Sequence, residues 1–152
     1  MKHLHTEIVV DAAPDKVWAV LTAFDEYDEW NPFVTEVTGV PEIGARLRVT
    51  LSPPGSRRGM TFRPTVTEVV PGEVLEWWGH LGVRGIFDGR HRFDLHNHGD
   101  GATRLVQSEL FTGLLVPLMA RSLDHNTAAG FVLMNQAIKK RAEQLRSTAS
   151  PA

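Results

Sequence analysis

Three polar side chains are the best candidates for chemistry, on segments a sheet could bring together: His91 and Glu109, whose types move protons, and Gln107 beside them. A histidine beside a carboxylate is held in one tautomer and can serve as acid or base near neutral pH. Two titratable groups in a dry pocket perturb each other's pKa. The same trio also fits a plainer role, a buried polar anchor for a ligand or for the core. A second set is basic. Arg57 and Arg58 lie in the stretch Ser52–Gly59, and Arg84 lies in Leu81–Gly85. Guanidinium groups on such glycine-rich loops suit a carboxylate or phosphate at a pocket rim; the alternative is three solvated loop arginines. The chain has no cysteine, which excludes disulfides, thiolate catalysis and Cys-ligated metals. Its 7 histidines are dispersed: His3 and His5 share the outer face of one strand, and His96 and His98 flank a turn. No zinc-type ligand spacing results, so neither metal nor cofactor is expected. There is no Walker loop, Rossmann fingerprint or nucleophile elbow.

The elements that must position these groups follow from the hydrophobic period. His3 to Val10 alternates, with Leu4, Thr6, Ile8 and Val10 on one face, which predicts an opening strand. Pro14 suits the first turn of a helix carrying Val17, Trp18, Val20, Leu21 and Phe24. Asp25 to Glu29 predicts a second short helix, ended by Trp30-Asn31-Pro32. From Val34 the period is two, and six strands are expected. Leu47, Val49 and Leu51 alternate on one of them and Phe62, Pro64 and Val66 on another; Leu75 and Trp77 follow, then Phe87 to Leu95 and Thr103 to Phe111. Val116 to Arg146 repeats every three or four residues and predicts one long amphipathic helix. The fold class is therefore α+β: an antiparallel meander, with one long helix covering its apolar face.

The 152 residues suit one domain, placed at 1–146, with 147–152 as a disordered tail. A formal net charge of −2 lacks the basic excess needed to neutralise a phosphate backbone, so nucleic acid is not an expected partner. No apolar run reaches the roughly 18 residues of a membrane span, and the N-terminus lacks a signal peptide's apolar core. A cytoplasmic protein, monomer or homodimer, is the expectation.

Strand parity predicts one shared inner face. A hairpin turn centred near Gly99 sets His91 opposite Gln107 and Gly89 opposite Glu109, and the neighbouring turns carry the same face onward. That face holds Phe62, Val66, Leu75, Trp77, Phe87, Phe93, Leu105 and Phe111, with His91, Gln107 and Glu109 as its polar members. Met119, Leu123, Phe131 and Met134 meet it from the helix. Large aromatics with a few polar groups suit a small-molecule pocket; the alternative is a filled core. In an up-and-down meander Ser52–Gly59, Leu81–Gly85 and the Gly113 turn share one end, so a mouth is expected there, rimmed by Arg57, Arg58 and Arg84.

Ile8-Val9-Val10-Asp11-Ala12-Ala13-Pro14-Asp15-Lys16-Val17-Trp18, then Trp30-Asn31-Pro32-Phe33-Val34, resembles the opening of the SRPBCC superfamily. That superfamily includes START-type lipid carriers, Bet v 1-like proteins and polyketide cyclases. Phe87 to Phe93, Thr103 to Glu109 and the C-terminal helix fit the same pattern. The resemblance implies a helix-grip fold, a curved seven-stranded antiparallel sheet around the long helix. It also implies a cavity for a small hydrophobic or amphipathic molecule, as in a carrier or sensor. The alternative it offers is a cyclase or dehydratase acting on a polyketide-like substrate, with His91 and Glu109 moving protons. A third branch, the chaperone activators, binds protein partners.

Overall fold

A computed structural model describes residues 1–149. Strand β1 (Lys2–Val10) leads into helix α1 (Pro14–Thr22), and a 3₁₀ turn at 24–26 into the single turn α2 (Tyr27–Trp30). Pro14 occupies the first turn of α1. The buried Tyr27 hydroxyl donates to Leu21 O at 2.6 Å, satisfying a carbonyl at the end of α1 that the helix itself leaves open. Burial pushes the Tyr27 phenol pKa up. The motif Asn31-Pro32 then turns the chain: Asn31 Oδ1 accepts from the N–H groups of Phe33 and Val34 at 3.1 and 2.9 Å.

Eight strands are present among the described residues, where seven were expected. They are β1, β2 (Val34–Thr38), β3 (Arg48–Leu51), β4 (Met60–Phe62), β5 (Thr65–Val70), β6 (Val74–His80), β7 (Asp88–Gly99) and β8 (Ala102–Thr112). They form a five-stranded sheet β1-β8-β7-β6-β5 and a three-stranded sheet β2-β3-β4. The extra strand arises at Pro64, which has no N–H to give a ladder and splits the expected strand through Phe62, Pro64 and Val66 into β4 and β5. The two sheets remain joined. Leu47 N–H donates to Pro64 O at 2.8 Å, Val66 N–H to Ala45 O at 2.9 Å, and Arg46 bridges Thr65. The chain from Ala45 to Leu51 thus runs first beside β5 and then beside β4, and the whole wraps as one curved antiparallel surface.

The β7–β8 hairpin turns at Asp100-Gly101, both at positive φ (51° and 73°), as a two-residue I′ turn requires. With a bulge between Asn97 and Gly99, the register centres on Asp100: His91 faces Glu109, Phe93 faces Gln107, and Gly89 faces Phe111. The pairing expected from a turn at Gly99 is thus displaced by two residues. A shift of two preserves parity, so the inner face survives although its partners change.

The C-terminal helix is not uniform α. Helix α3 (Val116–Ser122) passes through a π-turn at Leu123–Thr127 into α4 (Ala128–Ala149). The Ala128 N–H reaches back five residues to Leu123 O. Helix α4 packs on β1 and α1, burying Phe131, Met134, Ile138 and Ala142. It continues through 147–149, where a tail was expected; residues 150–152 of that tail lie outside the described residues. No helix among the described residues is long and apolar enough to cross a membrane.

Candidate functional site

A cavity of about 230 Å³ lies between the sheet and the C-terminal helix. It is somewhat smaller than the roughly 300–1,000 Å³ of pockets that hold drug-sized ligands. From the sheet it takes Val49, Leu51, Phe62, Trp77, Phe87, Gly89, His91, Glu109 and Phe111. Phe33 and Val34 close it from the start of β2, and Met119, Ser122, Leu123, Asn126 and Thr127 from the helix. Four of the helix contributors lie within or beside the π-turn, so the widened winding forms the helical wall. π-Turns recur at functional sites because they re-aim side chains and leave backbone carbonyls without their usual partners.

His91 sits at the polar focus of this apolar space and is 5% exposed. Its ring stacks on Trp77 with centroids 5.2 Å apart and planes at 15°, and meets the Phe131 ring edge-on at 5.0 Å. Aromatic carbon therefore covers the ring, and its chemistry is confined to the two nitrogens. Nδ1 lies 3.1 Å from Glu109 Oε2, and Nε2 lies 3.1 Å from the Gln107 amide nitrogen. An amide nitrogen only donates, so Nε2 accepts and the proton resides on Nδ1, pointed at the carboxylate. Gln107 Oε1 is buried with no partner among the described residues. Rotating that amide would bring Oε1 against Nε2, which would then donate to it.

The Glu109 carboxylate depends on a glycine. A Cβ at Gly89 would stand 2.5 Å from Glu109 Oε1, so the absent side chain is what lets the carboxylate lie over β7 beside His91. Oε1 has no hydrogen-bond partner among the described residues, and the Glu109 side chain is 15% exposed. It is an acceptor open to the cavity.

Of the side chains expected on the inner face, Phe62, Trp77, Phe87, His91, Glu109, Phe111, Met119 and Leu123 line the space. Gln107, Phe93, Phe131 and Met134 form the layer behind His91: Gln107 bonds the ring and reaches Met134 Sδ at 3.3 Å, and both phenylalanines touch the imidazole. Val66, Leu75 and Leu105 are buried in the core and do not reach the cavity. Residues of the wall not anticipated include Phe33, Val34, Val49, Leu51 and Met60 on the first sheet segment, and Ser122, Asn126 and Thr127 on the helix. The alternation of Leu47, Val49 and Leu51 carried the signal for the first group, but no hairpin register tied it to the rest.

A mouth was expected among Ser52–Gly59, Leu81–Gly85 and the Gly113 turn, and the first two of these reach the cavity wall. Ser56, Met60 and Leu81, all exposed, line the cavity there, as do Ser122 and Asn126. The rim is braced by Asp88, whose carboxylate accepts the Gly85 N–H at 2.9 Å, and by Leu114 N–H donating to Gly85 O at 3.1 Å. Gly113 permits this approach: at φ 123°, its missing Cβ would fall 2.4 Å from Ile86 O. Arg57, Arg58 and Arg84 are exposed and do not line the cavity. Arg84 lies over the Trp78 ring at 4.9 Å. Among the described residues, no group of three or more His, Asp or Glu is placed to hold a metal ion.

Solved structures share this architecture. The Zhui aromatase/cyclase from Streptomyces sp. R1128 superposes with a TM-score of 0.75 at 22% identity, covering 99% of each chain. Norcoclaurine synthase from Thalictrum flavum gives 0.72 at 16% identity, over 95% of this chain and 96% of that one. The di-domain aromatase/cyclase StfQ of the steffimycin pathway gives 0.77 at 14% identity, over 95% of this chain and 52% of that one. At such identities the likeness establishes the fold. No curated protein sequence matches the chain. The family model described as polyketide cyclase / dehydrase and lipid transport matches residues 1–149, and the chain belongs to that family.

Proposed function

We propose that this protein binds a small hydrophobic or amphipathic molecule in the cavity between sheet and C-terminal helix, as a carrier or sensor. The observation that carries the reading is the composition of the wall. Aromatic and aliphatic side chains surround a single buried polar focus, His91 with Glu109, whose Oε1 is an open acceptor. An apolar body would fill the aromatic space, and a hydroxyl or amine on it would donate to Oε1. Native mass spectrometry of freshly purified protein tests this: a co-purified small molecule, released on unfolding, is the expected result. A chain that emerges empty and binds no apolar fluorescent dye would refute it.

A second reading is favoured by one contact. The 3.1 Å approach of His91 Nδ1 to Glu109 Oε2 is the geometry of an acid–base pair, and would suit a cyclase or dehydratase acting on a polyketide-like chain folded in the cavity. His91→Ala separates the two. A binding anchor loses about 1–3 kcal/mol of affinity with no turnover to lose. An acid–base pair loses about 10²–10⁴-fold in turnover while affinity moves less.

A further inference from the structure

We propose that the face surrounding the cavity mouth docks on an anionic lipid surface. The inference goes beyond the binding reading and holds whether the occupant is carried or converted. Three segments frame the mouth, 52–62, 79–87 and 113–122. They contain four arginines, Arg57, Arg58, Arg84 and Arg121, in a chain whose net charge is −2; the carboxylates beside them are Asp88, buried and bonded to the Gly85 N–H, and Asp124, paired with Lys2. Elsewhere six of eight arginines, Arg48, Arg90, Arg92, Arg104, Arg141 and Arg146, each hold a carboxylate, and Arg46 and Arg63 do not. The four at the mouth form no ion pair among the described residues.

Between these arginines stand apolar tips. Val83 is 70% exposed, Leu114 77% and Leu118 82%, and Met60, Leu81 and Leu115 are exposed beside them. An exposed leucine alone is ordinary. Six large apolar residues on the three segments that frame one opening, interleaved with unpaired guanidiniums, form a patterned surface. The arrangement matches an interface of phosphate oxygens over acyl chains: the arginines meet the headgroups and the leucines enter the apolar layer.

Two features favour a lipid surface over a second copy of the chain. A two-fold pairing through this face would set the four guanidiniums against their own equivalents, with only Asp124, already paired with Lys2, beside them. The exposed apolar side chains also sit on three separate segments, which suits a fluid layer that each segment can enter independently. Leu118 lies one helical turn before Ser122, at the mouth, so docking there would bring the opening against the acyl region.

Cosedimentation with vesicles tests the proposal. Wild-type protein is expected to bind phosphatidylcholine vesicles containing about one third phosphatidylglycerol at low salt, and pure phosphatidylcholine far less. Salt should weaken the binding as the arginines are screened. Arg57→Gln with Arg58→Gln should lower partitioning about fivefold per charge removed. Leu114→Ser with Leu118→Ser should lower it about tenfold or more on anionic vesicles, at an unchanged melting temperature, since neither side chain is buried. Failure of the wild type to bind anionic vesicles would overturn the proposal, as would full binding by the double Leu variant. A wild-type dimer that Leu118→Ser splits, with vesicles ignored, would assign the face to self-association. Occupancy of the cavity is read separately by mass spectrometry, so neither result stands in for the other.

Discussion

Gly89→Ala tests how the polar focus is built, because it adds one methyl and nothing else. The new Cβ would lie 2.5 Å from Glu109 Oε1 and 3.7 Å from Phe111 Cδ1. The second distance is an ordinary contact; the first is about 1 Å too short. Gly89 is not at positive φ, so alanine is free of backbone strain there. The carboxylate must retreat, and its 3.1 Å bond to His91 Nδ1 cannot survive a displacement of that size. A hydrogen bond to a charged group contributes about 1.5–3 kcal/mol, less where solvent reaches it. Replacing glycine within a strand returns about 0.5–1 kcal/mol. The net cost is about 0.5–2.5 kcal/mol, and the melting temperature should fall by about 1–10 °C. Affinity for an apolar ligand bearing a hydroxyl or amine should fall about tenfold, while a purely hydrocarbon dye binds as before. Thermal melts and dye displacement on Gly89→Ala, Glu109→Ala and the double variant give the cycle. Strong coupling is expected, because each change removes the same bond. Additive effects, or unaltered binding of the donor ligand by Gly89→Ala, would show that Glu109 does not depend on the gap at Gly89.

Leu51→Trp should fill the cavity from β3 and abolish dye binding, with a melting temperature within a few degrees of wild type; a loss beyond about 3 kcal/mol in urea titrations would mean the space there is already packed. Glu143→Gln probes the seam between α4 and the β1–α1 connection. Lys139 bonds the Glu143 carboxyl and lowers its pKa; burial opposes this, and the Asp11 N–H at 2.9 Å adds to the lowering. A carboxyl whose folded pKa is depressed stabilises the fold above its unfolded pKa and ceases to as pH falls through the folded one. The variant should therefore be less stable by about 0.5–1 kcal/mol at neutral pH, with the gap closing in acid; a gap that persists or widens on acidification would refute the assignment.

Period-two alternation made the inner face legible, and the reason is geometric. Parity survives any even error, so a turn read at Gly99 instead of Asp100 still put His91, Gln107 and Glu109 on one side. The same tolerance hid their partnerships, and Glu109, not Gln107, faces His91 across the strands. The break at Pro64 was visible as a proline in an alternating run, but its consequence, a second sheet segment bringing Val49 and Leu51 to the wall, depends on long-range pairing that local pattern does not carry. The π-turn left no local mark, since Leu123–Thr127 contains neither proline nor glycine. The arginines expected at the rim are exposed and absent from the cavity lining, and the Trp78 ring that holds Arg84 stands beside Trp77 in sequence but on the opposite face.

The π-turn also bears on how this cavity could change over evolutionary time. Five residues per hydrogen-bonded turn in place of four is what a single-residue insertion into an α-helix leaves behind. Deleting one residue from Leu123–Thr127 would restore α-winding and rotate α3 by about 100° relative to α4. Helix α4 would keep its seat on β1, while Met119 and Ser122 would swing away from the opening and other side chains of α3 would take their place. Ligand selection in this architecture can therefore drift through changes in chain length at one point of one helix, with the sheet and its polar focus left untouched.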